Sequence, residues 1–301
     1  MTHLLISVAF ALASAGAYAL GAVLQERLAV RLGASTPWGD IVRALLRARR
    51  WWISVALNTT GALLHIAALA YGPLSVVQPL GALTLVLALP IGAALSARRV
   101  VGRQWFGAGL TVTGLLLLLL LTVPGSGGGM DPADATVLVI ASAVVLTAML
   151  AGTATVRRAV PRSLMYASGA GVAFAVASAL THAVTRQYAD DGALALLSPT
   201  VPAVAAMAVA GVLLSQLAYR GSGLGAPLAT LTLANPAASA VIGVALFGER
   251  FADGPLAMAL LVVAGAAASA GVLLLAPATS PVVGPAGSDP GPSRTPALCR
   301  R

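Results

Sequence analysis

Six polar side chains, Tyr18, Asn58, His65, Gln78, His182 and Asn235, stand inside stretches of the sequence that are otherwise almost wholly apolar. Amides, phenols and imidazoles need hydrogen-bonding partners that lipid does not supply, so at such positions they mark the inside of a helix bundle or the path of a solute. Gln78 precedes Pro79 and Asn235 precedes Pro236. A proline within a helix frees the carbonyl one turn earlier, and a lined cavity can use that carbonyl together with the neighbouring amide. Gln78 and Asn235 are therefore the best candidates for substrate contact. His65 and His182, whose ordinary pKa is about 6.5, are the groups able to relay a proton.

The acids say which substrates suit the chain. Glu26, Asp40, Asp131, Asp134, Asp190, Asp191, Glu249, Asp253 and Asp289 are all of them, and none is central in a long apolar stretch. Magnesium is held through oxygen ligands, commonly one or two carboxylates plus retained waters. Only Glu26 and Glu249, at the ends of their segments, are placed to help if a cation is carried. The connections "PGSGGGMDPAD" and "DDGALALLSPT" offer no converging acid, base and nucleophile, so no enzyme and no catalytic residue are expected. "GSGGG" lacks the Lys-Ser/Thr of a phosphate loop and reads as a linker, and no cofactor is implied. The single cysteine, Cys299, has no partner for an intramolecular disulfide, and the ending "CRR" is not a prenylation box.

These side chains must be positioned by membrane helices. Hydrophobic residues make up 58% of the 301 and charged residues 9%, and the mean hydropathy is +0.92, outside the range of soluble domains. Nine stretches of roughly 20 apolar residues, the length that crosses the hydrocarbon layer as a helix, occur at 5–25, 52–71, 75–96, 104–123, 135–155, 164–185, 201–219, 224–247 and 256–276. Trp51 and Trp52 read as interfacial anchors, Asp134 as a cap, and Pro202 and Pro255 as first-turn residues. The residues after Ala276, rich in Pro, Gly and Ser, read as a disordered tail. A cleaved signal peptide is the rival reading of the first stretch, but "MTHLL" lacks a basic leader.

The net charge of +9 comes from 18 basic residues, all arginine. With nine spans, every arginine except Arg186 and Arg250 falls on one side, in the linker after the first span, in alternate loops and in the tail. By the positive-inside rule that side is cytoplasmic, which puts the N-terminus outside and the C-terminus inside at the cell membrane. The basicity speaks to orientation and not to nucleic acid, since no arginine groove with interleaved aromatics is present.

The sequence also repeats. "VAFALAS" from Val8 is echoed by "VAFAVAS" from Val172, and "LAYGPLSVVQPLGALTL" from Leu69 by "LAYRGSGLGAPLATLTL" from Leu217. Two matches in the same order indicate duplication. Partners lie five spans apart, and an odd separation inverts the second copy, the arrangement of many secondary transporters. In this register Ser14 pairs with Ser178 and Tyr18 with His182. Small-and-polar stripes accompany the pattern: Ser7, Ala11, Ser14, Tyr18, Gly21 and Gln25 in the first span, Ser168, Gly171, Ala175, Ser178 and His182 in the sixth. The serines of these stripes read first as helix-packing residues.

"AYALGAVLQERLA", "ALAYGPLSVVQPLGALTLVLALPIGA" and "ALFGER" before a Gly-rich last segment resemble the drug/metabolite transporter (DMT) superfamily, in its EamA-like group. "PLSVVQPLGAL" is most similar to the nine-span branch of NIPA-type magnesium transporters and their bacterial relatives. The expectation is thus an all-α integral membrane protein of about nine helices. Residues 1–123 form a first four-helix repeat, 124–163 an outer loop and linking fifth helix, 164–276 a second, inverted repeat, and 277–301 the tail. The resemblance implies export of a small solute or metabolite by alternating access, with NIPA-like transport of magnesium or another divalent cation as the alternative. Behind these stand a non-transporting membrane subunit and an intramembrane enzyme. The expected partners are the lipid bilayer and a small-molecule or ion substrate, with homodimer formation open and nucleic acid not among them.

Overall fold

A computed structural model describes residues 2–33, 38–71, 74–95, 99–123, 130–220, 222–248 and 250–276. Glu249, the "GSGGG" linker, the expected tail and Cys299 lie outside the described residues, and so does the side chain of Gln78. Each of the nine apolar stretches falls on a helix: α1 (Thr2–Leu32), α3 (Arg49–Tyr71), α4 (Leu74–Leu95), α5 (Gly102–Leu120), α6 (Pro132–Thr155), α7 (Ala159–Asp191), α8 (Thr200–Ala218), α9 (Gly225–Leu246) and α10 (Pro255–Leu275), although the fourth stops at Leu120 and its expected end, Thr122–Val123, is extended. Among the described residues, seven of these are long and apolar enough to cross a membrane. α3 and α4 have 23 and 22 residues, also the length of a span. The chain is an all-α protein of multi-pass membrane type.

One element was read from the sequence as linker. α2 (Trp38–Arg47) is a ten-residue helix that sets Ile41 and Leu45, one turn apart and almost fully buried, against Leu28, Trp51 and Leu217. Its other face exposes Arg43, Leu46 and Arg47. With its apolar side on α1, α3 and α8 and its arginines outward, α2 is an amphipathic helix packed on the bundle.

The bundle is assembled from repeated neighbours. α1 packs on α3 and α4, α7 packs on α8 and α9, and α5 packs on α10. The α5–α10 seam depends on small residues: a Cβ at Gly114 would fall 2.6 Å from the Ala264 carbonyl oxygen and 2.7 Å from the Ala268 nitrogen. One at Gly107 would fall 2.9 Å from the Gly271 carbonyl oxygen. Without a hydrophobic driving force between helices in lipid, such close backbone approach is what holds them.

Contacts also gather the arginine-bearing ends together. Arg220, just past α8, donates from Nε to the Gly33 carbonyl at 2.9 Å, and Arg103 of α5 donates to the Ala276 carbonyl at 2.8 Å. Ser163 at the start of α7 donates to the carbonyl of Ala218 at the end of α8. At the opposite end of the bundle, β1 (Thr122–Val123) pairs antiparallel with β2 (Arg250–Phe251), tying the exit of α5 to the entry of α10.

Candidate functional site

Three of the six polar candidates come together among α1, α3 and α4. The Tyr18 ring rests on Gly61 of α3, where a Cβ would sit 3.1 Å from three ring atoms. Asn58, one turn earlier on α3, presses on Gly21 of α1: a Cβ at Gly21 would fall 2.5 Å from Asn58 Oδ1. His65, one turn beyond Gly61, faces Gly81 of α4, with its Cε1 3.7 Å from a Cβ placed there. All three side chains are half-buried. Each is seated against a glycine of a neighbouring helix, so Gly21, Gly61 and Gly81 make the room that the polar groups occupy.

The neighbouring serines do different work. Ser7 Oγ donates to the Ala68 carbonyl at 2.8 Å and Ser14 Oγ to the Gly61 carbonyl at 2.7 Å, both fully buried. They are fasteners between α1 and α3. In α7 the predicted stripe divides. Gly171 is buried against Ala234 and Asn235 of α9, and Ala175 is buried beside it, whereas Ser178 and His182 are exposed. The His182 ring meets the Phe247 ring edge-on at 5.7 Å, beyond the end of α9 and away from the Tyr18 group.

Asn235 is the candidate with the clearest unmet bond. Its Oδ1 is buried and accepts no hydrogen bond within the protein, and Pro236 within α9 removes the amide that would otherwise bond the Thr232 carbonyl. Two acceptors are thereby offered by one stretch of helix. An unsatisfied buried acceptor is costly, and a ligand donor is one remedy.

A second polar layer joins Gln25, a member of the stripe in the first span, to two α8 residues that the stripes do not include. Gln25 of α1 and Ser215 and Gln216 of α8 are all buried. Gln216 Nε2 donates to the Gln25 backbone carbonyl at 3.0 Å, and Ser215 Oγ lies 3.3 Å from Gln25 Oε1. Gln25 Nε2 and Gln216 Oε1 nevertheless make no hydrogen bond. The signal was present: "LLSQLA" places a glutamine in an apolar run as conspicuously as Gln78 does. Gln25 Nε2 thus offers a donor and Gln216 Oε1 and Asn235 Oδ1 each an acceptor for a hydrogen bond to a polar group. Among the described residues, no group of three or more His, Cys, Asp or Glu is gathered to hold a metal ion. Glu26 is half-buried beside Gln25 in α1.

The chain is similar to an uncharacterized protein of Corynebacterium glutamicum, at 26% identity over 255 residues that cover 82% of this chain and 86% of the relative. No family model matches the chain. No solved structure matches it either.

Proposed function

We propose that the chain is a secondary transporter of the DMT, EamA-like kind, carrying a small organic solute or metabolite, by preference outward, across the cell membrane. In this reading all nine long helices span the bilayer. α1 and α3–α5 form one four-helix unit, α7–α10 form a second, inverted unit, and α6 only reverses the chain between them. The end that gathers the arginines faces the cytoplasm.

The observation that carries the proposal is a packing pattern that occurs twice in opposite directions. Ser7 bonds the Ala68 carbonyl and Tyr18 rests on Gly61; Ser163 bonds the Ala218 carbonyl and the Phe174 ring rests on Gly211. Ser163 follows Ser7 by as many residues as Phe174 follows Tyr18, and Ala218 follows Ala68 by as many as Gly211 follows Gly61. The first serine pair lies away from the arginine end and the second at it, as inverted copies require. The α5–α10 seam supports the same axis. Gly107, Thr111 and Gly114 have the spacing of Ala264, Ala268 and Gly271, and exchanging the two sets returns the same contacts. This register matches Tyr18 with Phe174, about two helical turns before His182. The "VAFALAS" and "VAFAVAS" match is therefore displaced along the same helix face.

Two inverted halves that meet at polar, incompletely bonded groups are the architecture in which a midplane site opens to each side in turn. The test is flux in vesicles reconstituted with the purified protein, using a panel of labelled amino acids, sugars and organic acids beside a magnesium-sensitive dye. Saturable movement of a solute that Asn235→Leu abolishes supports the reading. A saturable magnesium signal replaces the solute with a divalent cation. No flux of either kind, together with unchanged metabolite and magnesium levels in a loss-of-function strain, assigns the chain to the subunit class.

A further inference from the structure

A cavity of about 120 Å³ lies between the start of α7 and the end of α8, lined by Arg162, Ser163, Tyr166, Leu217 and Arg220. One buried water needs only roughly 10–15 Å³, so this space admits a polyatomic ion. Two of its five lining residues are arginines and none is acidic. Arg220 is fixed there, donating from both Nε and Nη2 to the Gly33 carbonyl. The Tyr166 hydroxyl, 3.2 Å from Thr153 Oγ1, and the Ser163 hydroxyl, bonded to the Ala218 carbonyl, hold the opposite wall. Arg162 closes the first turn of the 33-residue α7 and Ser163 follows it; Pro161 has no amide and the Arg162 amide is bonded to the Arg158 carbonyl, so the positive charge facing the cavity is that of the side chains. Tyr166 and Leu217 also belong to the apolar cluster packed with Ile41 and Leu45 of α2, at the end of the bundle that gathers the arginines.

Two guanidinium groups sharing one small space repel each other. Burial lowers the Arg220 pKa, Tyr166 opposes it, and the like charge of Arg162 adds a smaller lowering effect. An oxyanion relieves that repulsion and fits the planar fork of Arg162 in two-point fashion, the Nε–Nη2 edge of Arg220 being held by Gly33.

We propose that Arg162 and Arg220 form a binding site for a phosphate oxyanion, supplied either by a phospholipid headgroup or by a phosphate in solution. The site stands whether or not the chain carries a solute, because it uses none of the residues assigned to solute contact. The test uses the full chain, purified in detergent. One arm titrates inorganic phosphate against thermal unfolding, with sodium chloride at matched ionic strength as control. The other arm measures retention of phosphatidylglycerol against phosphatidylcholine by native mass spectrometry. Stabilisation by phosphate beyond the chloride control identifies a solution ligand, and selective retention of phosphatidylglycerol identifies a lipid headgroup. In either arm Arg162→Gln is expected to weaken binding about tenfold or more, the scale of one lost charge-assisted hydrogen bond, and Arg162→Lys to restore part of it. If neither ligand binds, or if both variants bind as the native chain does, the proposal is overturned.

Discussion

The Tyr18 ring rests on Gly61 of the neighbouring helix, 3.1 Å from where a Cβ would be. A larger residue at position 61 has to displace the ring or part α1 from α3. Gly61→Leu is expected to cost on the order of 1–3 kcal/mol, the usual range for overpacking, read as a lowered unfolding midpoint. Tyr18→Phe keeps the ring and removes only the hydroxyl. If that hydroxyl contacts the solute, Tyr18→Phe unfolds like the native chain and transports with a raised KM; unchanged kinetics would leave Tyr18 a packing residue, as Phe174 is on Gly211.

Asn235 separates a binding role from a structural one. Its Oδ1 is buried without a partner, so replacing the amide by an apolar group of similar size removes a desolvation cost and no bond. Asn235→Leu is expected to match or exceed the native thermal stability while losing flux. A large loss of stability would show the amide to be structural.

The α5–α10 seam should tolerate no side chain at Gly114, because a Cβ there meets backbone atoms that cannot rotate away. Gly114→Leu is expected to cost more than ~3 kcal/mol and to abolish recovery of folded protein. Gly109 lies on the same helix with nothing within 4 Å of its Cβ position, so Gly109→Leu should stay within about 0.5 kcal/mol of the native chain. Equal yields of the two variants would disprove the seam.

Ser7 and Ser14 illustrate a smaller effect. Each bonds a carbonyl of α3, and interhelical bonds in membranes average about 0.6 kcal/mol. Ser7→Ala and Ser14→Ala should each lower stability by about that amount and leave flux intact; a loss of flux at native stability would move them into the solute path.

The helices were legible because apolar length alone determines where a chain can span lipid, and every stretch named from the sequence falls on a helix, with only the end of the fourth turning into strand β1. α2 was not, because ten residues carrying Arg43 and Arg47 resemble a linker until Ile41 and Leu45 are seen buried under it. Among site residues, Asn58 and His65 share a face of α3 by spacing alone, and the structure sets the Tyr18 ring of α1 on Gly61 between them. His182 does not join them. In an alanine-rich helix a shift of two turns preserves the face, so the sequence match that paired it with Tyr18 could not fix the register. The Gln25 and Gln216 layer bridges α1 and α8, and no periodicity within one helix reveals a partner so distant in the chain.

In the proposed transporter, that layer and the Arg220–Gly33 bond are among the contacts that an inward opening breaks. Thiol labelling at both ends measures this without knowledge of the solute. With Cys299 replaced by serine, a reporter cysteine is placed either at Ser215, buried at the arginine end, or at His182, exposed at the other. Combining Gln216→Ala with Arg220→Ala should raise labelling at position 215 and lower it at 182, because alternating access couples the two ends in opposite senses. Labelling that rises at both ends, or at neither, would contradict a transporter built from two exchanging halves.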